Sequence, residues 1–99
     1  MAEDQVLNLA RQYANAVRER MKTKSILLYG SQVKGTATKD SDIDIAVVVE
    51  EVPGDYLNTV ALLWKLGRAV SHEIEPVLLS NDDADSGFLQ SIQLTGIAV

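Results

Sequence analysis

Between positions 30 and 44 the sequence gathers glycine, hydroxyl and carboxylate residues whose spacing can do chemistry. Gly30-Ser31 is followed by Gly35, and then by Asp42-Ile43-Asp44 at the head of an apolar run. Glycine lets a backbone turn sharply and approach a ligand closely. Ser31 opens the turn that follows a short apolar segment, where backbone N–H groups and a hydroxyl can hold an anion such as a phosphate. Side chains alternate along a strand, so Asp42 and Asp44 project to one face while Ile43, Ile45, Val47 and Val49 project to the other, towards a core. Two neighbouring carboxylates repel, and one tends to keep its proton unless a cation relieves the pair. Hard oxygen donors suit Mg²⁺ or Mn²⁺. A phosphate-holding turn beside a carboxylate pair is the arrangement for metal-assisted phosphoryl or nucleotidyl transfer. A two-metal site wants a third carboxylate, and the segment after the second long helix offers Glu73 and Glu75 on a shared face. Glu75, next to Pro76, is the better candidate, because Glu73 falls at the start of that segment.

These residues need elements to place them. Apolar positions at Val6, Leu9, Ala10, Tyr13, Ala14, Val17 and Met21 recur every three or four residues and predict an amphipathic helix over 3–21. Glu3 and Asp4 suit its start, and Arg18, Arg20 and Lys22 suit its end. Ser25 to Tyr29 is a short apolar run that stops at Gly30, as a buried strand does. A tight turn of about one helical turn and a loop then lead to Asp42 to Glu50, the strongest strand in the chain. Asp55 is a candidate N-cap for a helix to about Ser71, apolar on more than one face through Leu57, Ala61 and Leu62. Glu73 to Leu79 is a third strand, with Pro76 implying an edge or a bulge. A last helix over about 85–94 follows, with Asp82, Asp83 and Asp85 as capping residues, before the apolar end Ile97-Ala98-Val99. The order predicts an α/β (α+β) fold with a small mixed three-stranded sheet and helices packed on it.

The 99 residues fit one domain over positions 1–99. Nine Lys and Arg against fourteen Asp and Glu leave a net charge of −5, which argues against a free-standing nucleic-acid binder. The absence of cysteine excludes disulfides, Cys-ligated zinc and iron–sulfur clusters. No apolar run is long enough to span a membrane, and the first residues lack the basic start and apolar block of a signal peptide. A soluble, cytoplasmic protein is the expectation.

Gly30-Ser31-Gln32-Val33-Lys34-Gly35-Thr36-Ala37, followed by Asp40-Ser41-Asp42-Ile43-Asp44-Ile45, resembles the signature of minimal nucleotidyltransferase (MNT) domains of the DNA polymerase beta superfamily. The likeness runs over nearly the whole chain, and it implies the polymerase beta palm-like fold. At this size it looks like the MNT antitoxin of HEPN–MNT toxin–antitoxin pairs. The resemblance implies transfer of AMP from ATP, with two Mg²⁺ ions, to a tyrosine hydroxyl of a helical HEPN ribonuclease. It implies that Gly30 and Ser31 hold the triphosphate, that Asp42 and Asp44 bind both metals, and that Glu75 takes the place of a third acid that is Asp elsewhere in the family. Lys34, where Arg is common, stands as a possible phosphate contact, though an ammonium lacks the guanidinium fork. The alternative is a non-catalytic module of the same fold that neutralises its HEPN partner by complex formation. The face from Leu57 to Val70 and the apolar C-terminus are the surfaces expected to serve such a partner.

Blander roles compete at several positions. Ser31 can be a helix N-cap, Lys34 a solvated loop lysine, and His72, the only histidine, a residue at a helix end where the dipole favours it. Trp64 fits the apolar stripe, and Tyr29 is most simply a residue at a strand end.

Overall fold

In a computed structural model that describes residues 4–35, 37, 41–80 and 87–99, eight elements follow one another. They are α1 (Asp4–Arg20), β1 (Ser25–Tyr29), α2 (Ser31–Lys34), β2 (Ile43–Val49), α3 (Tyr56–Val70), β3 (Ile74–Ser80), α4 (Gly87–Thr95) and β4 (Ile97–Ala98). The capping expected of Glu3, Asp82, Asp83 and Asp85 lies outside the described residues. The strands form one sheet in the order β3-β2-β1-β4. β1 pairs antiparallel with β2 and β4, whereas β2 and β3 run parallel. The parallel pair requires a crossover, which α3 supplies.

Alternation along the strands splits the interior in two. Ile26 and Leu28 of β1, Ile43, Ile45, Val47 and Val49 of β2, and Ile74 and Leu78 of β3 pack against the buried stripe of α1 (Ala10, Tyr13, Ala14, Val17) and Leu63 of α3. Leu27, Ala46, Val48 and Leu79 point the other way and meet Leu89 and Ile92 of α4. β2 is therefore apolar on both faces over most of its length, which accounts for its unbroken Ala-Val-Val-Val run. The Tyr13 hydroxyl joins α1 to α3 by donating to the Leu63 carbonyl at 3.0 Å, and burial pushes its phenol pKa up. Gly67 lets α3 ride close to β3, since an added Cβ would meet Ile74 Cγ2 at 3.2 Å.

The expected boundaries of α3 hold. Asp55 caps its start by accepting from the Asn58 N–H at 3.0 Å, and Ser71 ends it. Pro76 lies in an edge strand, where a missing N–H need not interrupt the ladder.

One expectation, the strand count, is corrected, and the readings of the C-terminus and of α3 are refined. The sheet has four strands instead of three, because Ile97 and Ala98 pair with Leu28 and Leu27. Two residues carry no periodicity, so this strand has no signature apart from its neighbours. Gly96 makes it possible: a Cβ there would stand 2.6 Å from the Ile92 carbonyl oxygen and 3.1 Å from that of Leu28. The C-terminus is thus part of the sheet, with the Val99 N–H donating to Ile26 at 2.9 Å, and is not a free apolar surface. On α3, Leu57 is 73% exposed while Leu62 and Trp64 are half-buried, so the helix covers the sheet with less than its full apolar circumference.

Tyr13→Phe removes the Tyr13–Leu63 hydrogen bond that joins α1 to α3 without opening a void. It should cost about 1 kcal/mol and lower Tm by ~4–8 °C; an unchanged thermal midpoint would show that the bond is immaterial.

Candidate functional site

The carboxylates gather where β1 ends and β2 begins. Register places Tyr29 of β1 opposite Asp44 of β2, and Asp44 opposite Glu75 of β3. All three lie on the α4 face of the sheet, so they make one row across three strands. Asp42 stands two residues before Asp44 with the same parity, just outside the strand, and is exposed. The ladder begins beside it, where the Ile43 N–H donates to the Glu73 carbonyl at 2.7 Å.

Gly30 connects the two halves of the motif physically. It adopts φ 79 and ψ −148, a region open essentially to glycine alone. A Cβ built there would fall 2.6 Å from Asp44 Oδ2. The Asp44 carboxylate therefore occupies the space that any other side chain at position 30 would fill. Gly30 is also the N-cap of the single-turn helix α2, with the Val33 and Lys34 N–H groups both donating to its carbonyl at 3.1 Å. Ser31, expected as a possible cap, is instead the first residue of the helix, and no side chain caps it. The N–H groups of Ser31 and Gln32 have no partner within the turn, as at any helix start. Gly35 closes the turn in the left-handed region, and Lys34 is exposed at its end.

Electrostatics in the row follow from crowding. Partial burial, and then the Asp42 charge, lift the Asp44 pKa above the ordinary carboxylate range. Glu75 is lifted too, by desolvation, by Asp42 and Asp44, and by a side-chain hydrogen bond with Asp42; Arg68 pulls it partly back. Tyr29 is raised by burial and then by the charges of Asp44 and Glu75. Its ring packs edge-on against Phe88 of α4, with centroids 5.7 Å apart. Hard oxygen donors that repel one another are the chemistry that a divalent cation neutralises, so the donor set fits such an ion. Among the described residues, no three acidic or imidazole groups are already drawn together as a ready-made cage.

Glu73 has a different setting from Glu75. It is exposed and accepts from the Ser71 hydroxyl at 2.9 Å, outside β3. His72 is exposed, and its carbonyl, not its ring, accepts from the Arg68 guanidinium. Arg68 also lies over the Trp64 ring, 5.3 Å from its centroid, so Trp64 takes part in a cation–π contact as well as in packing. The residue that motif reading passes over is Gln32. It is buried inside α2, and its amide donates towards Asp42 and Ser41. A polar residue between Ser31 and Val33 carries no sequence signal of that role.

The family described as "Nucleotidyltransferase domain" matches residues 10–84. A provisionally named protein adenylyltransferase of Methanocaldococcus jannaschii, MJ0128, is 38% identical over 74 residues, 75% of this chain and 74% of that protein. The protein adenylyltransferase MntA of Thermococcus cleftensis is 36% identical over 50 residues, half of each chain. Among solved structures, a toxin–antitoxin crystal structure with AMP-PNP superposes with TM-score 0.69 and 25% identity, covering 90% of this chain and 70% of that one. A nucleotidyltransferase-like structure from Sulfolobus solfataricus gives TM-score 0.68 at 17% identity, covering 95% and 78%, and shares the fold.

Two measurements test the geometry. Gly30→Ala should cost about 1–3 kcal/mol through backbone strain, read as a lower urea midpoint, because a methyl group there meets the Asp44 carboxylate. Carboxyl groups raised in the folded state favour folding below their unfolded pKa, and this contribution is lost as pH rises through the folded value. Asp44→Asn should therefore raise Tm relative to the parent more at pH 7 than at pH 4 in metal-free buffer. An equal gain at both pH values would refute the repulsion.

Proposed function

The chain belongs to the nucleotidyltransferase domain family, and from that membership we propose that it transfers AMP from ATP to a protein hydroxyl, a tyrosine of a HEPN-type ribonuclease, and so acts as that toxin's antitoxin. The observation that carries the reading is the seating of Asp44 between Gly30 and Glu75, on the face and at the sheet end where the α2 turn begins. Protein adenylyltransferase relatives and a toxin–antitoxin neighbour with a bound ATP analogue support the choice of nucleotide and of a protein acceptor.

In this reading Asp42, Asp44 and Glu75 would hold Mg²⁺, two ions with the triphosphate, and Mn²⁺ can stand in. The cation supplies charge neutralisation of the triphosphate and Lewis acidity at the reacting phosphate. Gly30 and Ser31 receive the phosphates, the glycine by allowing close approach and Ser31 by its N–H and hydroxyl. Lys34, exposed at the end of the turn, adds a point charge. The acceptor oxygen forms a bond to the α-phosphorus while the bond to the bridging α–β oxygen breaks, and pyrophosphate leaves. The acceptor proton departs on the carboxylate side, where Glu75 stands opposite Asp44 across the β2–β3 pair. Orientation of the triphosphate by a rigid turn is what the chain contributes beyond charge.

The test is incubation of the chain with a HEPN-type ribonuclease, ATP and Mg²⁺, followed by intact-mass measurement of both proteins. The partner should gain one or more AMP units, and Asp42→Ala or Asp44→Ala should slow the gain by more than the roughly 10–100-fold that loss of a group merely supporting a metal ligand costs. A partner neutralised without any mass gain, and equally well by both variants, identifies a binding module and overturns the reading.

A further inference from the structure

Two polar side chains are buried among the described residues, Gln32 and Thr59. Thr59 serves the start of α3, where its hydroxyl donates to the carbonyls of Pro53 and Asp55. Gln32 serves no helix of its own. It is 7% exposed, and its Nε2 reaches ten residues along the chain to the Asp42 carbonyl at 3.3 Å and to the Ser41 carbonyl at 3.5 Å. Each contact is longer than an ideal N–H···O bond, and neither alone is strong. A buried amide donor left without acceptors is costly, however, and no buried side-chain nitrogen or oxygen among the described residues lacks a partner.

The place of this bridge gives it meaning. Gln32 follows Ser31 directly in the α2 turn. Asp42 lies outside the β2 ladder, so strand pairing does not fix its backbone on that side. The Asp42–Ile43 peptide unit is pinned on one side by the Ile43 N–H bond to Glu73, and the Asp42 carbonyl receives the Gln32 amide. Both acceptors of the amide are carbonyls, so only a donor at position 32 can make the link. Asp44 needs no such help, because the strand and Gly30 already seat it.

We propose that Gln32 is a positioning residue: its carboxamide, bridging the α2 turn to the Ser41 and Asp42 carbonyls, sets where the Asp42 carboxylate stands relative to Asp44 and to Ser31, and thereby how tightly a divalent cation is held. The inference rests on the reading of Asp42 and Asp44 as cation ligands. Groups that orient a ligand in this way are worth tenfold or more in metal affinity across many sites.

The experiment is calorimetric titration of Mn²⁺ into the full chain, without nucleotide or acceptor. Gln32→Met keeps the buried volume and removes the donor. Its Mn²⁺ dissociation constant should rise about tenfold, with the bound stoichiometry unchanged. In the transfer assay the Mg²⁺ concentration for half-maximal rate should rise in step while the rate at saturating Mg²⁺ changes little. A merely structural role would lower Tm and leave the Mn²⁺ constant alone. Gln32→Asn retains the amide but is one methylene too short to reach Asp42, so it makes the same test should the methionine variant fail to fold. Folded variants that bind Mn²⁺ within a factor of two of the parent overturn the inference and leave the proposed activity standing. A parent chain that takes up no Mn²⁺ overturns the ligand reading and this inference together.

Discussion

The Asp44 carboxylate lies against the bare Cα of Gly30, and much of the site depends on that contact. It requires β1 and β2 to pair so that Tyr29 opposes Asp44, which brings the end of one strand to the beginning of the other. It requires a residue without Cβ at position 30, in a backbone region that other residues do not tolerate. The same glycine starts the α2 turn, so the turn and the carboxylate row meet at one backbone position. A shift of one residue in the β1–β2 register would turn Asp44 into the apolar core and Ile43 or Ile45 out of it. The core and the site therefore select the same register.

β2 carries both burdens by using its two faces differently along its length. Towards its end, Ala46 and Val48 on the carboxylate face are covered by α4. At its start the same face carries Asp44, opposite Tyr29. Partial burial and mutual repulsion of the acids both favour the protonated forms. Such an arrangement opposes folding as pH rises through the raised carboxyl values. The large apolar face beneath, with Ile43, Ile45, Val47 and Val49 all fully or nearly fully buried, offsets the cost.

Around the row the surface is uneven. Phe88 is about half-exposed next to Tyr29, and Arg68, held over Trp64 and by the His72 carbonyl, lies near enough to act on Glu75. Tyr56 and Leu57 are exposed at the start of α3, and Leu94 near the end of α4. No helix among the described residues is long and apolar enough to cross a membrane. The exposed aromatic and aliphatic groups thus lie on separate elements.

By itself the sequence determined those features that local chemistry encodes. Periodicity of 3.6 marked α1 and α3, the β-branched run marked β2, Asp55 marked a cap, and Gly-Ser with Asp-x-Asp marked a candidate site and the family. These are readable because each depends on residues within a few positions of one another. Tertiary structure decided the rest. The two-residue β4 exists only because β1 offers an open edge and Gly96 fits between Ile92 and Leu28. The different settings of Glu75 and Glu73 depend on the parallel register of β3 with β2, which no spacing within β3 reveals. Gln32 looked like an ordinary polar residue until folding brought the Ser41 and Asp42 carbonyls to its amide. The division has a physical cause: a side chain's type sets which interactions it can make, while its partners across ten or thirty residues are chosen by the packing of the whole sheet.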